Sequence, residues 1–132
     1  MALTLKDLLQ KNKTAYKQQY YIESVYLSNT LITKVLKQIV AEEKIQSSAS
    51  RLKLSETLKL LKPKYTDSPF FTKKLKKSVF NSICEFNTEF KTVNKELKYQ
   101  YPEVKLKHLA KKGLDVLVHL NTTLIKLKSN NH

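Results

Sequence analysis

The stretch 68–97, SPFFTKKLKKSVFNSICEFNTEFKTVNKEL, decides the fold. Leu75, Val79, Ile83, Phe86, Phe90, Val93 and Leu97 alternate steps of four and three along it, with Phe80 widening the stripe. That spacing is one face of a helix of more than six turns, a seam that has to pack against other helices. Ser68 followed by Pro69 reads as its start, a capping hydroxyl and then a proline at the first helical position, where the missing N–H is not needed.

The same pattern extends in both directions. Pro102 opens a last helix whose buried stripe is Leu106, Leu109, Gly113, Val116, Leu117, Leu120, Leu124 and Leu127, with fraying expected from Ser129 to His132. Only a few residues around Tyr99 to Pro102 join the two long helices, so they are antiparallel neighbours. Gly113, the one glycine of the chain, costs about 1 kcal/mol relative to Ala inside a helix, and close approach of another helix is the expected compensation. Upstream, Pro63 ends a helix carrying Leu54, Leu58 and Leu61, because the residue before proline is pushed out of the α region. The run 46–50, QSSAS, is a polar connector whose Ser50 is placed to cap that helix. From Tyr20 to Lys44 the apolar face is Ile22, Val25, Tyr26, Ile32, Leu36 and Ile39, interrupted by Asn29. A short first helix starts at Thr4, capped in reciprocal fashion with Asp7, and carries Leu5, Leu8 and Leu9. The expected fold is all-α: residues 1–132 form a single domain, an up-and-down bundle of four main helices plus a short N-terminal one.

Charge is the strongest compositional signal. The 132 residues hold 25 Lys and Arg, of which Arg51 is the single arginine, against 11 acidic groups, for a net charge of +14. An excess of this size points to an anionic partner. It is equally what a solvated surface from a lysine-biased composition looks like. Without Arg forks or Gly-rich loops, lysines hold a phosphate backbone as point charges and do not read bases. Two sets stand out. Lys62 and Lys64 precede Lys73, Lys74, Lys76 and Lys77, which places six positive charges at one end of the bundle. Lys105, Lys107, Lys111 and Lys112 line the opening of the last helix. Tyr20, Tyr21, Tyr99 and Tyr101 either stack on unpaired bases or pack at the bundle ends with wet hydroxyls.

Candidates for chemistry are few. His108, Asp115 and His119 lie along one side of the last helix and read as an exposed polar stripe or as part of a polar site. The two histidines are eleven residues apart, roughly 16 Å of helix, too far to share a metal ion. Glu85 and Glu89 sit one turn apart with no His at metal-ligand spacing, and pairing with Lys is their simpler role. Cys84, the only cysteine, falls in an apolar pattern and reads as a packed thiol. No metal, cofactor or catalytic group is expected. The N-terminus lacks a signal-peptide pattern and no window resembles a membrane span, which together with the cysteine count fits the cytoplasm.

The segment AYKQQYYIESVYLSNTLITKVLKQIV, with FNTEFKTVNKELKYQYPEV and the amphipathic helix after it, resembles the HEPN superfamily of small helical bundles, common in prokaryotic toxin and defence systems. The resemblance implies a homodimer. Active members carry an Arg followed by a polar residue and then a His four to six residues after the Arg. Here Val93 stands at the Arg position, Asn94 at the polar one, and Tyr99 or Gln100 where the His belongs. The resemblance therefore implies a non-catalytic member, similar to those that pair with a nucleotidyltransferase or bind nucleotides and RNA without cutting, and the lysine-rich face makes the expected function a binding module for RNA, DNA or an acidic protein partner. Two other readings remain: a ribonuclease with an unrecognised site around His108, Asp115 and His119, and an immunity or structural bundle that binds a protein through apolar grooves.

Overall fold

The computed structural model describes residues 5–42, 53–68, 71–96 and 102–130. Seven helices follow in order: α1 (Leu5–Lys17), α2 (Tyr21–Glu42), α3 (Leu54–Leu61), α4 (Lys64–Asp67), α5 (Phe71–Lys74), α6 (Lys77–Glu96) and α7 (Glu103–Asn130). Among the described residues there is no strand, and the all-α bundle expected from the sequence is what the chain forms. Helix α2 is the hub. It packs against α7 and α1 most extensively, then against α3 and α6, while α7 also covers α6.

That central position explains a difference from the expected face of α2. Val25, Ile32, Leu36 and Ile39 are fully buried, but so are Leu31, Val35 and Val40, because helices lie on several sides and the buried arc is wider than one stripe. Ile22, at the edge of that arc, is 42% exposed. Helix α1 does not merge into α2. Gln19 adopts a left-handed conformation (φ 67°), with Tyr20 N–H donating to the Ala15 carbonyl at 2.8 Å and Gln19 N–H to the Tyr16 carbonyl at 3.0 Å. This is the Schellman arrangement, built on Gln where Gly is usual.

The long helix expected from Pro69 to Leu97 is broken. Its first turn forms the separate α5, and regular helix resumes only at Lys77. Phe71 and Leu75 are buried on either side of the step, and the Tyr65 hydroxyl donates to the Leu75 carbonyl at 2.8 Å, replacing a ladder bond. The Tyr65 ring meets Phe71 and Phe80 at centroid distances of 5.0 and 5.1 Å. Burial of this aromatic corner is therefore worth more than continuity of a helix whose first turns hold Lys73, Lys74, Lys76 and Lys77 at the positive end of its dipole. Beyond the break the seam is as expected as far as Val93, with Val79, Ile83, Phe86 and Val93 buried and Phe90 half-buried, while Leu97 lies outside the described residues.

Pro63 does follow the end of α3, but not by forcing Lys62 out of the α region, where it stays at φ −53°, ψ −46°; Pro63 instead opens α4, a single turn that the sequence pattern did not announce. Helix α7 begins directly after Pro102 and buries Leu106, Leu109, Val116, Leu117 and Leu120. It continues to Asn130, through the Ser129 position expected to fray. The Thr4 cap, the 46–50 connector with Ser50, Arg51, Pro69, the Tyr99–Tyr101 turn and His132 lie outside the described residues, as do the side chains of Leu124 and Leu127.

Gly113 sits where three helices close on one another. A Cβ built there lies 2.6 Å from Ser28 Oγ and 2.9 Å from Phe86 Cε2, so the contact that excludes a side chain is made by α2 and α6 together. Beneath it, Asn12 of α1 ties down α2. Ser24 Oγ donates to Asn12 Oδ1 at 2.5 Å and Asn12 Nδ2 donates to Ser28 Oγ at 2.8 Å, all three residues being fully buried.

Candidate functional site

Where α6 runs antiparallel to α7, the first turns of α6 leave a cleft of about 440 Å³ lined by Lys76, Ser78, Val79 and Ser82 on one bank and His108, Lys111, Lys112, Asp115, Val116 and His119 on the other. The bank on α7 is a single helical stripe, since steps of three and four residues return to the same face. The break before α6 positions the other bank, because Lys76 sits in the interruption itself and is exposed. One member of the first lysine set thus meets two members of the second, together with the whole stripe of His108, Asp115 and His119.

The remaining lysines are not gathered there. Lys73 and Lys77 are exposed on α5 and at the head of α6, Lys105 and Lys107 are exposed on the first turns of α7, and Lys64 is half-buried at the head of α4. Lys74 is in α5, with its side chain outside the described set. Lys62 lies on the other flank of α6, in a cleft with Cys84. Of the six charges expected at one end of the bundle, Lys76 and Lys62 thus line different clefts, on different flanks of α6.

Lys112 is already engaged. Its Nζ lies 3.1 Å from Glu85 Oε2 and 3.2 Å from Glu89 Oε1. The two acids are thus paired with lysine, but across the helix interface. Burial works to lower the Lys112 ammonium, and the hydrogen bonds and charges of Glu85 and Glu89 outweigh it, leaving its pKa above the ordinary lysine value. Lys112 therefore anchors the cleft wall, and Lys76 and Lys111 are its exposed cations. Burial likewise pushes the Cys84 thiol up, against the pull of Lys62, so the thiol is less ionised than an ordinary one. Of the tyrosines, Tyr21 is buried edge-on to Tyr16 and Tyr20 is 59% exposed.

Sequence reasoning missed Ser78 and Ser82, for which the only signal is their one-turn spacing beside Lys76. It also missed a second basic region. Between α2, α3 and α6 lies a cleft of about 530 Å³ lined by Asn29, Thr30, Thr33, Lys34, Lys37, Lys53, Leu54, Ser55, Asn87, Phe90 and Lys91.

Among the described residues no group of three His, Cys, Asp or Glu is placed to hold a metal ion, and no helix is long and apolar enough to cross a membrane. Compared with models of known protein families, with curated proteins and with solved structures, the chain matches none.

Proposed function

We propose that the protein is a non-catalytic helical binding module that holds the phosphate backbone of a nucleic acid on its α6–α7 face. The observation that supports this reading is the meeting of Lys76 with Lys111, His108 and His119 around one cleft, although Lys76 and Lys111 are more than thirty residues apart in the sequence. Lysine point charges and serine hydroxyls suit phosphate oxygens and carry no base code, so the binding is sequence-tolerant and strongly salt-dependent. The resemblance to HEPN bundles fits a member that binds without cutting and adds a homodimer to the proposal. A ribonuclease at this cleft is disfavoured by geometry: eleven residues of helix set the two imidazoles roughly 16 Å apart along the axis, too far to serve as acid and base on one phosphate.

Titration of labelled RNA and DNA at two salt concentrations tests the reading. The double variant Lys76→Ala/Lys111→Ala is expected to bind roughly tenfold more weakly, with the slope of log affinity against log salt reduced by about 2. Unchanged affinity removes the cleft from the binding surface. Cleavage of the RNA that disappears in His119→Ala overturns the non-catalytic assignment.

A further inference from the structure

The flank of α6 away from α7 is the more uniformly basic one. The α2–α3–α6 cleft shares Ser55, Asn87 and Lys91 with a neighbouring cleft of about 220 Å³ that continues along α3 to Lys59 and Lys62. The two form one groove that follows the whole of α3, eight residues and about 12 Å of helix. Lys53, Lys59 and Lys62 mark its α3 bank from the residue before the helix to the residue after it. Lys91 stands on the α6 bank, and Lys34 and Lys37 close the end on α2. Among the described lining residues there is no carboxylate, in contrast to the α6–α7 face with Asp115, Glu85 and Glu89.

We infer that this groove is a second binding site, a track for the phosphate backbone of a single-stranded nucleic acid. It rests on the nucleic-acid reading above, but not on the α6–α7 cleft. Three features select this occupant. Of the apolar members of the lining, Leu54, Leu58 and Phe80 are at most 6% exposed and only Phe90 and Cys84 are half-buried, so the groove lacks the row of anchors that the apolar face of a peptide helix needs, and affinity has to come mainly from charge and hydrogen bonds. The groove is concave and runs between helices, which admits an extended strand, whereas a duplex is a convex cylinder that touches only the banks. The groove also carries a polar pair, Asn87 Nδ2 donating to Ser55 Oγ at 3.1 Å, and this amide and hydroxyl retain capacity to donate and accept. Lysines gathered around one groove repel one another in the empty protein, and a polyanion relieves that repulsion.

The test is fluorescence anisotropy with labelled oligothymidylate and its duplex with oligoadenylate, each about 12 nucleotides long, within the site sizes of small single-strand binders. Three variants are compared with the wild type. Lys53→Ala/Lys59→Ala/Lys91→Ala empties the groove. Lys11→Ala/Lys13→Ala/Lys17→Ala removes the same charge from α1. Lys76→Ala/Lys111→Ala alters the α6–α7 cleft. Every substituted lysine is exposed, and circular dichroism verifies that each variant is folded. The groove variant is expected to lose roughly tenfold or more in affinity for the single strand and about 2 in the salt slope, at about 0.7 per phosphate contact. The α1 variant is expected to lose much less, and the duplex is expected to be affected less than the strand. Equal losses in the groove and α1 variants overturn the inference, since net charge alone then explains the binding. It is also overturned if oligoglutamate of equal charge displaces the strand as effectively as unlabelled oligothymidylate. If only the α6–α7 variant loses binding, the inference fails and the nucleic-acid reading stands. If the wild type binds neither probe, both fail.

Discussion

The α2–α7 contact and the flanks of α6 are built on opposite principles. Where α2 meets α7, backbone and side chains close so tightly that Gly113 has no room for a methyl group and the polar atoms of Asn12, Ser24 and Ser28 satisfy one another out of reach of water. On either side of α6 the packing stops short, leaving clefts bordered by lysines. A small bundle with a large positive charge has to separate these tasks. Apolar burial and satisfied buried polar groups supply stability at α1, α2 and α7, and the repelling cations are set where helices are not in full contact.

The largest effect that can break this contrast lies at Gly113. In an ordinary helix Gly→Ala stabilises by about 1 kcal/mol. Here the new methyl meets Ser28 Oγ at 2.6 Å and Ser28 Cβ at 2.7 Å, and Ser28 is short, fully buried and held by Asn12, so it has nowhere to retreat. Gly113→Ala is expected to destabilise by about 2 kcal/mol net in urea melts. Adding Ser28→Gly is expected to recover part of that loss, as coupled neighbours do. A gain in stability from Gly113→Ala alone would show that the closed side is looser than its geometry.

Asn12 sharpens the same contrast with a somewhat smaller effect. Asn12→Ala strands the Ser24 and Ser28 hydroxyls, whose remaining option is to bond back to α2 carbonyls, and a loss of about 1.5 kcal/mol is expected from thermal or urea unfolding. A neutral result would mean that water reaches the network.

What was legible in the sequence follows the range of the signal. The α6 and α7 stripes and the tight contact at Gly113 are written in local spacing, and so is the grouping of His108, Lys111, Lys112, Asp115 and His119, which share one face of one helix. The break before α6 was hidden because Leu75 and Val79 keep their four-residue spacing across it, and the reason for it, the Tyr65 bond to the Leu75 carbonyl, comes from ten residues away. The end of α1 was hidden because Gln19 takes a conformation usually given to glycine. Asn12 reads as a surface residue on an amphipathic helix until Ser24 and Ser28 are brought to it. The α3–α6 groove was least legible of all. Its lysines come from α2, α3 and α6, and each taken alone is an ordinary solvated position.

The smallest expected effect concerns Lys112, the point where the open flank borrows from the closed side. With 32% of its side chain accessible and both Glu85 and Glu89 substantially exposed, an ion pair of this kind contributes about 1 kcal/mol or less. Lys112→Met keeps most of the stem that packs over α6 and removes the charge. Because the folded protein holds the Lys112 pKa above its ordinary value, the contribution is fully present below the unfolded-state value of about 10.4 and is lost as pH rises through the higher folded-state value. The stability difference between wild type and Lys112→Met is therefore expected to hold from neutral pH to about pH 10, to close above it, and to shrink in high salt. A difference that ignores both pH and salt would assign Lys112 to packing, and α6 would then be held to α7 by apolar contact alone. A difference that follows both would show that the two carboxylates on α6 are stabilised by the one lysine placed between them. That would explain why the exposed cations of this cleft are Lys76 and Lys111.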